Sequence, residues 1–225
     1  MSPYVIQRAG ITPEFTGSWD GPAWSKADTL SVALFHPAGS AHHPVVNARL
    51  LYDDQAIYVH FKVQDRHVRS IHTRPQDPVW QDSCVEFFFQ PKPSPGYFNV
   101  EGNCGGTFLC SYVEDPRRTP TGFAKFRLID AHWFTRIRAY HSMPPVVEPE
   151  LPGPVEWTLE YGIPFSLIED YAGPLGAVAG QIWRANFYKC GDKTSHPHWA
   201  SWAPIGEALN FHQPDRFAPI TFAPY

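Results

Sequence analysis

Residues 56–65, AIYVHFKVQD, place Ile57, Val59, Phe61 and Val63 on one parity and Tyr58, His60 and Lys62 on the other. Successive side chains leave a strand on opposite faces, so this period of two fits a strand with one side against a core. A helix would scatter the same residues around its axis. Similar runs recur at 30–35, 47–53, 84–91, 96–103, 107–113, 124–129, 135–140, 155–164, 181–190 and 217–222. That makes about eleven short strands separated by turn residues. Asp53 and Asp54 suit a tight hairpin connection between two of them. Proline reinforces the reading: 24 of 225 residues is about twice the average share, and proline is poorly tolerated inside helices. One short helix is expected over 164–173, with a proline at its start and a glycine at its end. The proline-rich stretch 141–154 reads as an extended surface connection within one domain, because strand patterns resume directly after it. The expected architecture is a single all-β domain over 1–225, a two-sheet antiparallel β-sandwich of jelly-roll or immunoglobulin-like kind.

Several function classes drop out on composition. A net charge of −4 without a basic run gives no electrostatic footprint for nucleic acid. No apolar stretch approaches the roughly 20 residues of a membrane-spanning helix. The N-terminus lacks a cationic segment followed by an apolar one, so the expected location is cytoplasmic as written, or secreted or periplasmic if a leader has been removed. Cys84, Cys104, Cys110 and Cys190 show neither CxxC pairing nor zinc spacing, and are expected as buried free thiols. Oligomeric state has no signature in the sequence.

Alternation also says which polar groups share a face. With Val85, Phe87 and Phe89 on the core side, Glu86, Phe88 and Gln90 point the other way. With Phe98 and Val100 inside, Tyr97, Asn99, Glu101 and Asn103 point out. In 181–190, Trp183, Ala185 and Phe187 suit the core, leaving Arg184, Asn186 and Tyr188 outside. Carboxylates, planar amides and a guanidinium match sugar hydroxyls, which donate and accept together. Trp80 stands six residues before Glu86, and Trp199 and Trp202 follow the Arg184 strand. Pyranose rings stack their C–H faces on such indoles.

The pieces GSWDGPAW, NARLLYDDQAIYVHFKVQD, VWQDSCVEFFFQP, YFNVEGNCGGTF, RANFYKCGD, HWASWAP and FHQPDRFAPITF, in this order, resemble family 9 carbohydrate-binding modules, of the DOMON-like β-sandwich superfamily. The resemblance runs from about Trp19 to Phe222. It implies non-catalytic recognition of a mono- or oligosaccharide held between two tryptophans, here Trp80 and Trp202. Polar contacts would come from Glu86, Asn99, Glu101, Arg184, Asn186 and Tyr188. Asn99 stands where sugar-binding relatives carry arginine, and Tyr188 departs from an amide pair; Lys189 and Arg184 are candidate replacement donors. The family commonly holds structural calcium. Asp53, Asp54, Asp65 and Asp82 are the turn carboxylates available, though no dense oxygen-ligand loop exists.

Three other readings compete. Glu86 and Glu101 on neighbouring strands could serve a glycoside hydrolase as acid with nucleophile or base. Some DOMON-type relatives are haem-binding cytochromes, but Met143, the one internal methionine, lies in the proline-rich connection. His196, His198 and His212, in HPHW and FHQP, could converge on zinc.

Overall fold

The alternating stretch is a strand with a partner on either side, Val45–Tyr52 on one edge and Val155–Pro164 on the other. The structure, a computed structural model, describes residues 3–91 and 94–224. In chain order its strands are β1 (Tyr4–Arg8), β2 (Leu30–Ser31), β3 (Leu34–Phe35), β4 (Val45–Tyr52), β5 (Ala56–Asp65), β6 (Val68–Ser70), β7 (Cys84–Gln90) and β8 (Tyr97–Asn103). There follow β9 (Phe108–Thr119), β10 (Gly122–Leu128), β11 (Arg138–His141), β12 (Val147–Leu151), β13 (Val155–Pro164), β14 (Ile182–Cys190), β15 (Trp199–Ser201) and β16 (Ala218–Phe222). Two α-helices, α1 (Ala131–Phe134) and α2 (Phe165–Ala172), and short 3-10 turns at Pro22–Lys26, Val79–Gln81 and Pro214–Arg216 accompany the strands.

One sheet runs β10-β9-β8-β7-β14-β16-β1, with β15 beside the end of β14 and β3 beside β15. The other runs β1-β4-β5-β13-β11, with β2 on β4. β1 belongs to both. Its first half pairs with Ile220–Phe222 and its last two residues with Leu51 and Tyr52, each time parallel. The expected antiparallel sandwich is therefore a mixed one. Alternation reports which face a side chain takes, not the direction of the neighbouring strand, so this joining strand left no trace in the pattern.

The facing sides meet in one main core. Ile57, Val59, Phe61 and Val63 of β5 lie opposite Val85, Phe87 and Phe89 of β7 and Trp183, Ala185 and Phe187 of β14, all buried. The ring of Phe61 meets that of Phe187 across the sandwich, 6.3 Å between centroids. Burying each large side chain of this set contributes about 2 kcal/mol. The predicted partition of β5, β7, β8 and β14 into core and outer faces is the one observed.

Differences have local causes. The run 30–35 splits because β2 pairs with β4 in one sheet while β3 pairs with β15 in the other. The proline-rich stretch carries β12, which pairs with β6 as a separate two-stranded ribbon; its prolines are tolerated at an edge. Helix α2 matches the expected position, and it ends at Gly173, whose φ of +82° suits glycine. All four cysteines are free and buried. No helix among the described residues is long and apolar enough to cross a membrane.

Outside the large sheet lies a second, smaller core. Phe88, Tyr97, Val113 and Tyr188, all outward-facing, are covered by Ile205, Phe211 and Phe217 from the segment before β16. This cover leaves only part of the outer face open.

Candidate ligand-binding site

The open part is a cleft of about 500 Å³ over β7, β8 and β9. Its floor is built by strand parity. Glu86 of β7 stands opposite Glu101 of β8, and Asn99 opposite Ser111 of β9. Cys190 of β14 adjoins them. Trp80, on the 3-10 turn Val79–Gln81, and Trp199, at the start of β15, both line it. Phe123 and Phe126 of β10 and the segment Leu209–His212 enclose the rest.

The floor is held rigidly. Asn99 Oδ1 accepts from the Ser111 N–H at 2.8 Å and from the Ser111 hydroxyl, which fixes its amide so that Nδ2 donates to Glu101 Oε1 at 2.8 Å. Cys190 Sγ donates to Glu86 Oε1 at 3.1 Å. Both glutamates are buried, yet Oε2 of each has no hydrogen-bond partner among the described residues. Buried polar atoms are normally satisfied, so two orphan acceptors on a cleft floor mark where a ligand's donors belong. Trp199 is oriented by its Nε1–H, which donates to Asp192 Oδ1 at 2.7 Å. Trp80 is anchored through its carbonyl, which accepts from the Asp192 N–H at 3.3 Å and leaves the indole 37% exposed. His212 Nδ1 lies 2.8 Å from the Tyr97 hydroxyl.

Burial dominates the electrostatics. It pushes Glu86 well above the usual carboxyl range, helped by Cys190 and Glu101. Burial raises Glu101 to about 7, against the Asn99 hydrogen bond, with the Asp192 charge adding to the rise and Arg118 opposing it. Asp192 is also raised by burial. Burial and then Arg118 hold His212 down at about 3. Burial thus favours the uncharged form of both carboxyls, and Glu101 gives up its proton only at about 7.

Of the residues expected from sequence, the structure brings together Trp80, Glu86, Asn99 and Glu101. The others lie elsewhere. Trp202 is buried in the main core, its ring edge-on to Phe187 at 5.6 Å. Arg184 Nη2 donates to the carbonyls of Asp215 and Phe217. Asn186 is buried and bonds Ala203 through both its carbonyl and its amide. Tyr188 is stacked on Phe211 at 4.0 Å beneath the covering segment. Lys189 faces the core, 3.5 Å from Asp65 Oδ2. Trp199, named with Trp202 as a nearby indole but passed over for the site, lines the cleft in its place, and Ser111, Asp192 and the aromatic wall of β10 were missed. Trp199 was within reach of parity: it pairs with Cys190, which shares the outer face with Glu86, whereas Trp202 is three residues on and points inward.

The residues suggested for metals do not fit their expected roles. Asp53 accepts from the N–H groups of Gln55 and Ala56 and from the Tyr58 hydroxyl. Asp54 holds Arg8, Asp82 caps the N–H groups of Ile71 and His72, and Asp65 receives His42 and Trp157. Among the described residues no group of three or more donors contains two of these four aspartates. They form no calcium cage. His196, His198 and His212 do not converge either: His198 is buried against Lys189, His196 stacks on His67, and His212 borders the cleft. Met143 packs into the main core.

Comparison with known proteins bears on the family and the fold. The profile of carbohydrate-binding family 9 matches residues 25–222. Comparison with curated proteins gives no match. Among solved structures, a "putative carbohydrate-binding protein" from Bacteroides uniformis ATCC 8492 is similar at a TM-score of 0.83 and 27% identity, covering 97% of each chain. A family 9 module from Caldicellulosiruptor kristjanssonii, in complex with cellotriose, gives a TM-score of 0.61 at 15% identity, over 100% of this chain and 95% of that one. The glucose complex of a family 9 module from the same organism gives 0.59 at 16%, over 98% and 96%.

Proposed function

The chain belongs to carbohydrate-binding family 9, and from that premise we propose that it binds a mono- or oligosaccharide, without cleaving it, in the cleft that Trp80 and Trp199 help to line. The observation that carries this is the pair of buried Oε2 atoms on Glu86 and Glu101, without a hydrogen-bond partner among the described residues, on the floor of a cleft that two indoles help to line. Sugar hydroxyls satisfy such acceptors, and a carboxyl that keeps its proton can donate to a hydroxyl oxygen in turn. The C–H faces of the ring stack on Trp80, Trp199 and the β10 phenylalanines. Affinity is modest in this reading, because hydroxyls exchange good hydrogen bonds to water for protein ones with little net gain. The same reading takes the sandwich as jelly-roll-like, with the ligand on one outer sheet face.

Modules of this fold have been seen with glucose and cellotriose, so glucosides are the first ligands to test. Isothermal titration with glucose, cellobiose, cellotriose and a panel of other common saccharides should give at least one saturable heat, with no reducing sugar released over hours. Trp80→Ala should remove that heat while leaving the unfolding temperature within a few degrees. No saccharide binding across the panel, or binding indifferent to both Trp80→Ala and Trp199→Ala, would discard the assignment.

A further inference from the structure

A second cluster of chemically competent side chains lies away from the cleft, where three separate segments meet. His67 sits in the turn between β5 and β6, Glu150 on β12, and His196 in the loop between β14 and β15. The imidazoles of His67 and His196 are stacked at 3.7 Å between centroids and 22° between planes. One donor atom from each of His67, Glu150 and His196 lies within 4.8 Å of the others. His67 Nδ1 is 3.7 Å from Glu150 Oε1.

We propose that His67, Glu150 and His196 form a binding site for a zinc-class divalent ion, tying the β6–β12 ribbon to the loop that carries Asp192 and Trp199. The donor set is chemically specific. Two imidazoles with one carboxylate suit zinc and its first-row neighbours and exclude calcium and magnesium as preferred occupants, since those take oxygen donors. Tetrahedral zinc with bonds of about 2.0–2.1 Å needs donor atoms about 3.3 Å apart, so the donors must draw closer and the two stacked rings must tilt apart for both lone pairs to meet one ion.

The surroundings already organise the three donors. The Ser195 N–H donates to Glu150 Oε2 at 2.8 Å, which leaves Oε1 turned toward the histidines. The Ser195 hydroxyl donates its single proton to Glu150 Oε1, and its oxygen lies 2.8 Å from His196 Nδ1 and 3.4 Å from His67 Nδ1. Two imidazole nitrogens and a carboxylate oxygen are thus gathered around one small hydroxyl, the place a cation would take over. Behind them His42 meets His67 edge-on at 5.3 Å, and His42 is itself fixed by Asp65 at 2.8 Å. Such supporting contacts orient ligands at real metal sites. Glu150 and His67 keep about a fifth of their side-chain surface in solvent, and His196 is exposed, so an ion has a path in. Three ligands leave a fourth position for water, or for a donor from another molecule.

A neighbouring group, His42, Asp65 and His198, lies within the same spacing but is already committed: His198 Nε2 accepts from Lys189 Nζ at 2.8 Å. A cation there would displace a buried ammonium.

The test is titration of the metal-stripped protein with zinc chloride against a chromophoric chelator, with a parallel cobalt(II) titration followed by visible absorption. We expect one equivalent bound, a tetrahedral cobalt band, and a raised unfolding temperature. His67→Ala and His196→Ala should each weaken binding at least 10-fold, while His132→Ala, at an isolated exposed histidine, should not. Unfolding temperatures measured in chelator establish that each variant is folded. Absence of stoichiometric binding would overturn the proposal. So would binding unchanged by His67→Ala and His196→Ala, or binding lost only on His42→Ala, which would move the ion to the inner group. Saccharide titration is not among the readouts, so failure here leaves the cleft assignment untouched.

Discussion

Glu86 and Glu101 stand directly opposite each other on β7 and β8, both buried, and each keeps an Oε2 without a hydrogen-bond partner among the described residues. Among the described residues no lysine or arginine forms an ion pair with either one, and only the Arg118 charge works against the rise at Glu101 besides the Asn99 hydrogen bond. Two carboxyls in that position hold their protons more cheaply than their charges.

That arrangement gives stability a pH signature. Unfolded Glu101 releases its proton near 4.5, while the folded residue keeps it to about 7. The native protein therefore binds more protons in that window, and its stability falls as pH rises through it. His60 and His198, held near 3 by burial, act in the opposite sense: they lose stability as pH falls below about 6.5. The clean measurement is the difference between wild type and Glu101→Gln in denaturant unfolding. It should be small at pH 4.5 and should favour the variant by about 3 kcal/mol at pH 8. A difference independent of pH would show that Glu101 titrates normally.

The two late tryptophans separate binding from folding. Trp202→Ala empties a buried position in the main core and should cost about 3–5 kcal/mol. Trp199→Ala removes a half-buried ring on the cleft side and should weaken saccharide binding 10-fold or more, at a stability cost below about 2 kcal/mol. Unfolding curves and titration on both variants distinguish the two. Equal loss of stability would mean that Trp199 belongs to the core.

How far the sequence reaches is clear from β14. Parity placed Trp183, Ala185 and Phe187 inside and Arg184, Asn186 and Tyr188 outside, and so they stand. Parity says nothing about what covers the outer face. There the segment containing Ile205, Phe211 and Phe217 folds back over Tyr188 and Phe88, converting candidate ligand contacts into a second core. Around Glu86, Asn99 and Glu101 the same face lines the cleft instead, and these three were legible for that reason. The β1 crossover and the His67–His196 contact depend on long-range pairing, which no local period encodes.

Asn186 illustrates the structural role that replaced a predicted binding role. Its Oδ1 accepts from the Ala203 N–H at 2.8 Å and its Nδ2 donates to the Ala203 carbonyl at 3.0 Å, all buried. Asn186→Leu keeps the volume but strands both Ala203 groups, and should cost about 2–4 kcal/mol in urea unfolding. Because it anchors the chain just after Trp202, saccharide affinity measured well below the new transition should change less than 3-fold. A larger loss of affinity with no loss of stability would return Asn186 to the site.

Lys189 and Asp65 are fully buried, and their charges meet at 3.5 Å. The ammonium is further bonded to the Cys190 carbonyl at 2.9 Å and to His198, while Asp65 receives His42, the Trp157 indole and the Arg66 N–H. Burial alone would raise Asp65, but Lys189 and the His42 hydrogen bond prevail and hold it well below the usual carboxylate range. Its contribution is therefore complete above about pH 4 and is lost only as pH falls through its depressed value in the folded state. Removing one partner strands the other charge: Lys189→Met and Asp65→Asn should each cost about 3–5 kcal/mol. The double variant should recover part of that loss, because no uncompensated charge then remains inside. Molar salt, which screens exposed pairs, should leave the single-variant penalties within about 0.5 kcal/mol of their low-salt values. Additive losses in the double variant would mean that the two side chains stabilise the fold through separate contacts and not through each other.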